Sequence, residues 1–164
     1  MKMTKKHLAL ISVLLILSLF VGCGSKTAKV KNDVAVTDVS ASVAAVLSDD
    51  ALVSVDENYI NGSMKMDVSD FDSSDVKINS KGVNIDEFGI FKAKDASQVA
   101  TVSKAVKDYI QMRKDTWMVE YMPEERPKLD SSEVMILGNY VMYAILSDED
   151  KRAAFDAFEK TLTA

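Results

Sequence analysis

Apolar and polar positions divide the chain into segments of different period. Leu8 to Phe20 is an apolar run without a charge, interrupted only by Ser12 and Ser18 and preceded by Lys2, Lys5 and Lys6. It is shorter than the about 20 apolar residues that a membrane-spanning helix needs. A basic start, a short apolar run and a small residue after it are the parts of an export signal. The run ends Phe20-Val21-Gly22-Cys23. From Gly24 to Val36 the chain is small, polar and basic, with Lys26, Lys29 and Lys31. No helical period runs through it, which predicts a flexible tether.

Periodic structure begins at Thr37. Val39, Val43, Val46 and Leu47 recur at helical spacing and predict a short helix ending near Leu47 or Leu52. Asp49 to Asp75 has scattered apolar residues and a turn signal at Asn61-Gly62, and no element is assigned there. Val76 to Asn79 alternates with period two, and Glu87 to Lys94 carries Phe88, Ile90 and Phe91; both read as strands. Asp95 followed by Gln98 resembles a capping box. It opens a long helix whose stripe is Val99, Val102, Val106, Tyr109, Ile110, Arg113 and Trp117. Pro123 and Pro127 bar a clean continuation. Val134–Leu137 and Tyr140–Leu146 flank Gly138-Asn139, which fits a type II′ hairpin. Ser147 caps a last helix with Ala154, Phe155, Phe158 and Leu162 on its buried stripe.

The order helix, strand, strand, helix, strand, strand, helix predicts one α+β domain over residues 37–164. It would have two layers, with an antiparallel four-stranded sheet against helices. Tyr140 to Leu146 is apolar at every position, as in a strand buried on both faces. Either the first helix or a second copy of the chain, as a homodimer, would cover its other face.

Composition narrows the chemistry. Cutting before Cys23 removes 22 of 164 residues and leaves 142; losing Lys2, Lys5 and Lys6 takes the net charge from −5 to −8. An acidic chain of this kind does not favour nucleic acid. Cys23 is the only cysteine, so no disulfide forms within one chain. His7 is the only histidine and would leave with the signal, which removes Ser-His-Asp and Cys-His catalysis and imidazole metal sites from the mature protein.

Val21-Gly22-Cys23 resembles the lipobox of bacterial lipoproteins, in which the cysteine thiol is diacylglycerated and the signal is cut between Gly22 and Cys23. Phe20 stands where that pattern usually has Leu. The resemblance implies a signal peptide over 1–22, a lipidated tether over 23–36 and an extracytoplasmic, membrane-anchored domain. Three further segments carry a second resemblance. Glu87-Phe88-Gly89-Ile90-Phe91-Lys92-Ala93-Lys94-Asp95 resembles an "E-x-x-x-F-K-A-K-D" strand. Tyr121-Met122-Pro123-Glu124-Glu125 resembles a "Y-x-P-E-E" segment. Leu137-Gly138-Asn139-Tyr140-Val141 resembles an "x-G-N-Y-V" hairpin. In this order, over roughly Val68 to Leu162, they are similar to a family of small Gram-positive lipoproteins known only as a domain of unknown function, number 4358. That family brings no activity, cofactor or catalytic residue.

The residues themselves give few leads. Asp67, Asp70, Asp72 and Asp75 crowd one segment, but Asp75 and Lys81 stand where an EF-hand loop needs Gly and Glu, so turn capping is the better reading. Glu87, Glu120, Glu124 and Glu125 are available to a histidine-free glycosidase, yet nothing makes two of them converge. Ser74 and Lys77 have S-x-x-K spacing, but on a strand they face opposite ways. Trp117 and Tyr121, at the end of the long helix, are the candidate binding residues for a glycan or peptide. No catalytic residue, metal ligand or cofactor is assigned. The chain is therefore expected to be a non-enzymatic binding module of the cell envelope, with an envelope protein or wall polymer as partner. A small ligand-binding lipoprotein assisting transport and a carboxylate-dependent wall hydrolase are the alternatives.

Overall fold

A computed structural model describes residues 29–118 and 120–163. Cys23, Gly22 and the export signal lie outside the described residues. The elements are α1 (Val36–Ala44), β1 (Leu52–Ser54), α2 (Glu57–Gly62), a 3-10 turn (Val68–Asp70), β2 (Ser73–Asn79) and β3 (Glu87–Lys92). After them come α3 (Val99–Asp115), a second 3-10 turn (Pro123–Glu125), α4 (Arg126–Asp130), β4 (Glu133–Leu137), β5 (Tyr140–Ile145) and α5 (Asp148–Leu162).

All five strands form one antiparallel sheet in the order β1-β2-β3-β5-β4. The α+β class and the antiparallel sheet hold, but four strands become five and the helix-strand order changes. The added elements, β1 and α2, lie in the segment left unassigned. Three residues of strand and six of helix are too short to show a period. What starts α2 is local: the Asp56 carboxylate accepts from the Tyr59 N–H at 2.9 Å. The capping box at α3 does not form. Asp95 accepts instead from the N–H of Ser97, and Gln98 takes the cap position without a side-chain bond. At α5 the predicted cap is present, with the Asp150 N–H donating to Ser147 Oγ at 3.1 Å.

The sheet is covered on both faces, so the architecture has three layers, not two. Period two along β5 sends Val141, Tyr143 and Ile145 into one core and Tyr140, Met142 and Ala144 into the other. The first core packs Ile60 of α2, Val102, Val106, Tyr109 and Ile110 of α3, and Leu129 of α4. The second packs Val36, Val39 and Val43 of α1 with Ala154, Phe155, Phe158 and Leu162 of α5. Helices α1 and α5 thus cover the second face of β5, and that strand no longer argues for a homodimer.

Two glycines are required by close approach. A Cβ on Gly89 would collide with the Tyr143 ring. Gly138 opens the β4–β5 turn at φ +55, while Asn139 is not at positive φ, as a type II′ turn demands. A Cβ on Gly138 would also strike the side chain of Asn32. The reason is that the chain just before α1 is strapped onto this hairpin. Val30 forms an antiparallel bridge with Thr163, and the Lys31 N–H donates to the Leu162 carbonyl at 2.8 Å. Asn32 Oδ1 accepts from the Asn139 N–H at 2.9 Å, and the Tyr140 hydroxyl donates to the Val34 carbonyl at 2.6 Å. Part of the segment whose composition suggests a tether is therefore bound to the domain.

Candidate functional site

The strap lies at one end of the sheet; the polar side chains gather at the other. Lys92 pairs with Tyr140 at the hairpin end, and Glu87 pairs with Ile145 five residues away, about 17 Å along the strand. Glu87 shares a face with Gly89 and Phe91, so its carboxylate enters the core under α3 and is 2% exposed. Tyr109 and Arg113 are one helical turn apart on α3 and reach it together. The Tyr109 hydroxyl donates to Glu87 Oε1 at 2.7 Å, Tyr143 donates to the same oxygen, and Arg113 Nη1 donates to Oε2 at 2.5 Å. Arg113 Nη1 also donates to the Tyr109 hydroxyl at 2.9 Å.

The electrostatics follow from burial and charge. Burial pushes both the Tyr109 and Tyr143 phenols well above their ordinary pKa, and the neighbouring Glu87 charge adds to the shift. Burial works against the Arg113 guanidinium, but Glu87 and Tyr109 outweigh it and hold its pKa above the usual value. The phenols therefore stay protonated and donate, and the guanidinium stays charged.

Glu87 and Arg113 form the floor of a cleft of about 150 Å³, walled by Tyr59, Ile78, Asn79, Asn84, Ile85 and Asp86. The β2–β3 loop shapes it. The side-chain amides of Asn79 and Asn84 both donate to the Asp49 carboxylate, at 2.7 and 3.1 Å. The Asn84 carbonyl oxygen accepts from the Asp86 N–H at 2.9 Å. Beside the cleft, Lys128 Nζ lies 2.7 Å from Asp86 Oδ1 and 2.8 Å from Glu125 Oε2. Glu125 Oε2 also accepts from the Ile85 N–H at 3.1 Å. Burial raises the Asp86 carboxyl, a shift that Lys128 only partly offsets. Burial opposes the Lys128 charge as well, yet its two acidic partners hold its pKa up.

The residues singled out in the sequence are dispersed. Trp117 packs against the core under α3 and its Nε1 has no hydrogen-bond partner among the described residues. Tyr121 is 53% exposed. Glu87 and Glu125 both border the cleft, but each is tied to a cation; Glu120 and Glu124 are exposed. In the aspartate-rich segment, Asp67 caps the N–H of Ser69, while Asp72 and Asp75 pair with Lys92 and Lys77. Among the described residues, no group of three or more Asp, Glu, His or Cys side chains is placed to hold a metal.

Arg113, Tyr109, Tyr143, Asp86 and Lys128 are absent from the sequence candidates. One signal pointed to them. Arg113 stands on the apolar stripe of α3, and a guanidinium on a buried stripe requires a buried acid opposite.

A three-layer α+β domain, with its buried ionic network at the end of the sheet away from its N-terminal strap, is the class defined here. The chain belongs to the family described as Domain of unknown function (DUF4358), whose model matches residues 45–146, more than half of the chain. That match begins in the turn after α1 and ends just past β5, so it takes in the whole sheet and leaves out α5. No curated protein and no solved structure matches the chain.

Proposed function

We propose that this protein is a lipid-anchored, non-enzymatic binding module on the outer side of the cell membrane, with Cys23 as its acylated residue. Its binding end is the loop end of the domain, away from the strap. The observation that carries this reading is the segregation of unsatisfied surface. Val83, Met118 and Tyr121 are the three most exposed large apolar side chains among the described residues, at 67%, 66% and 53%. Each sits on a segment joined in sequence to an element that lines or flanks the Arg113 cleft. Val83 is in the β2–β3 loop; Met118 and Tyr121 lie between α3 and the 3-10 turn that holds Glu125. Exposed apolar groups on a polar rim are the usual composition of a protein-binding surface.

A non-enzymatic role is supported by the acids in and beside the cleft, since Glu87, Asp86, Glu125 and Asp49 are each bound to Arg113, Lys128 or side-chain amides. Orientation follows from the strap. From Cys23 to Val30 the chain spans at most about 25 Å, so an anchor at Cys23 keeps the hairpin end near the bilayer and turns the cleft outward. Among the described residues no helix is long and apolar enough to cross a membrane, so on this reading attachment falls to the lipid. Two or more acyl chains hold a protein stably where one does not.

The test has two parts. Cys23→Ser is expected to abolish incorporation of labelled fatty acid and to leave the precursor uncut at a higher mass; unchanged attachment at unchanged mass overturns the anchor. A photo-crosslinking residue at Tyr121 is expected to capture an envelope component in intact cells, and one at Asn139 is not. Equal capture from both positions overturns the assignment of the binding end.

A further inference from the structure

The cleft over Arg113 has a donor and acceptor set that its own residues leave incomplete. Arg113 spends only Nη1 on Glu87 and Tyr109. Its Nε and Nη2 have no partner among the described residues, and its side chain is 24% exposed, so they stay open to the cleft. Asp86 spends Oδ1 on Lys128, and its Oδ2 has no partner among the described residues; the side chain is buried, 8% exposed, and lines the cleft. Asn79 and Asn84 differ: their amides and carbonyls are bound to Asp49, Lys81 and Asp86, and they act as scaffold. The site therefore offers a rigid two-nitrogen donor fork and a carboxylate acceptor in one small space, with the half-buried Tyr59 as an aromatic wall.

Charge and volume then select the ligand. Arg113 is balanced by Glu87. Lys128 faces both Asp86 and Glu125, and Asp49 adds a further negative charge, so an anion gains nothing here. A cation meets the Arg113 guanidinium on the floor. A neutral group avoids both penalties. A cleft of about 150 Å³ is below the roughly 300–1,000 Å³ of sites for drug-sized ligands, so it takes one ring. The bound group must accept from Arg113 and donate to Asp86 at once, which adjacent hydroxyls do because each is both donor and acceptor. We infer that this cleft is a subsite for one neutral, hydroxyl-rich sugar residue, held between Arg113 and Asp86. The inference rests on the reading of this end as the binding end.

The chain has three arginines, Arg113, Arg126 and Arg152, so selective ¹⁵N labelling of arginine reads the site directly. The full chain in detergent micelles is titrated with glucose, N-acetylglucosamine, a chitin oligosaccharide, acetate and methylammonium. The Arg113 Nε–H resonance is expected to shift saturably with a neutral sugar, while Arg126 and Arg152 stay still. Saturation by the monosaccharides assigns a free sugar; saturation by the oligosaccharide alone assigns a residue within a glycan. Asp86→Asn and Tyr59→Leu are each expected to weaken the effect, Asp86→Asn by about tenfold, the loss of one hydrogen bond to a charged group, and Tyr59→Leu through loss of the aromatic wall. Unmoved Arg126 and Arg152 resonances show that a variant remains folded. A shift with acetate or methylammonium but with no sugar, or no saturable shift with any ligand, overturns the inference. Crosslinking from Tyr121 that persists after such a failure leaves the binding end intact and removes only the sugar.

Discussion

The two faces of the sheet are built on different principles. Under α1 and α5 the core is aliphatic and aromatic, with Phe88, Ile90, Met142 and Phe158 fully enclosed. Under α3 the same sheet encloses Glu87, two phenols bonded to it and one guanidinium. On the first face each side chain contributes through area and fit, and a smaller residue leaves a cavity. On the second, each group depends on the others being present, because an ion without its partner in a dry interior costs far more than the pair gains. Buried ionic networks are weak sources of stability, so this one is better explained by what it positions: it fixes Arg113 at the floor of the cleft with two nitrogens unused.

The sharpest way to break this comparison is to remove one ion. Glu87→Ala leaves Arg113 uncompensated and two phenols without their acceptor, and is expected to destabilise by about 3–5 kcal/mol. Replacing both partners, as Glu87→Leu with Arg113→Met, is expected to recover the ionic part of that loss, while the two phenols still lack their acceptor. Urea titration of the single variants, the double variant and the parent yields the coupling directly. If the double variant is as unstable as the sum of the singles, the pair is not a unit. On the other face, Phe158→Ala is expected to cost about 3–5 kcal/mol as a cavity, with no second substitution among the ionisable groups able to restore it.

Much of the first face was legible from period alone. The stripes of the long and last helices and the alternation in the hairpin carry the signal that packing uses. The polar face was legible only as an anomaly, in Arg113 on an apolar stripe and Glu87 heading an apolar strand. The pairing of Glu87 with Tyr143 needs the register of β3 against β5, and no local pattern encodes a register between strands separated by two helices. Elements too short for a period, β1 and α2, were missed for the same reason. The strap was misread because composition reports solubility and not the contacts of Asn32 with Asn139 and of Val30 with Thr163.

A comparison of the two ends gives a smaller effect. Gly138→Ala places a methyl group against Asn32 and a non-glycine residue at φ +55. The expected cost is about 1–3 kcal/mol, with release of residues 30–34 seen as faster amide exchange at Lys31 and Asn139. Gly82, at φ +64 with nothing near its Cβ position, is the control: Gly82→Ala carries the conformational strain without the collision, and Lys31 exchange should not change. Equal acceleration in both variants would mean that the strap is not seated on the hairpin.

The smallest effects lie in the titration of two aspartates that flank the cleft loop, and their signs are opposite. Burial opposes the Asp49 charge, but the Asn79, Ala51 and Asn84 donors and Lys81 outweigh it, so its folded pKa lies below the ordinary 3.8. That stabilisation is present above about pH 4 and is lost as pH falls further, because the unfolded chain takes up the proton first. Asp86 is raised above 3.8 by burial. Its folded form takes up the proton first, so it adds stability as pH falls from its raised value towards about 4. Asp49→Asn should therefore flatten the decline of the urea midpoint below about pH 4. Asp86→Asn should steepen the decline just above it, because the compensating proton uptake is gone. A set of urea midpoints from pH 6 to pH 2.5 for the parent and both variants reads the two slopes separately. Parallel curves would show that neither carboxylate is held by the loop as its hydrogen bonds require, and Asp86 could not then be the ordered acceptor on which sugar binding depends.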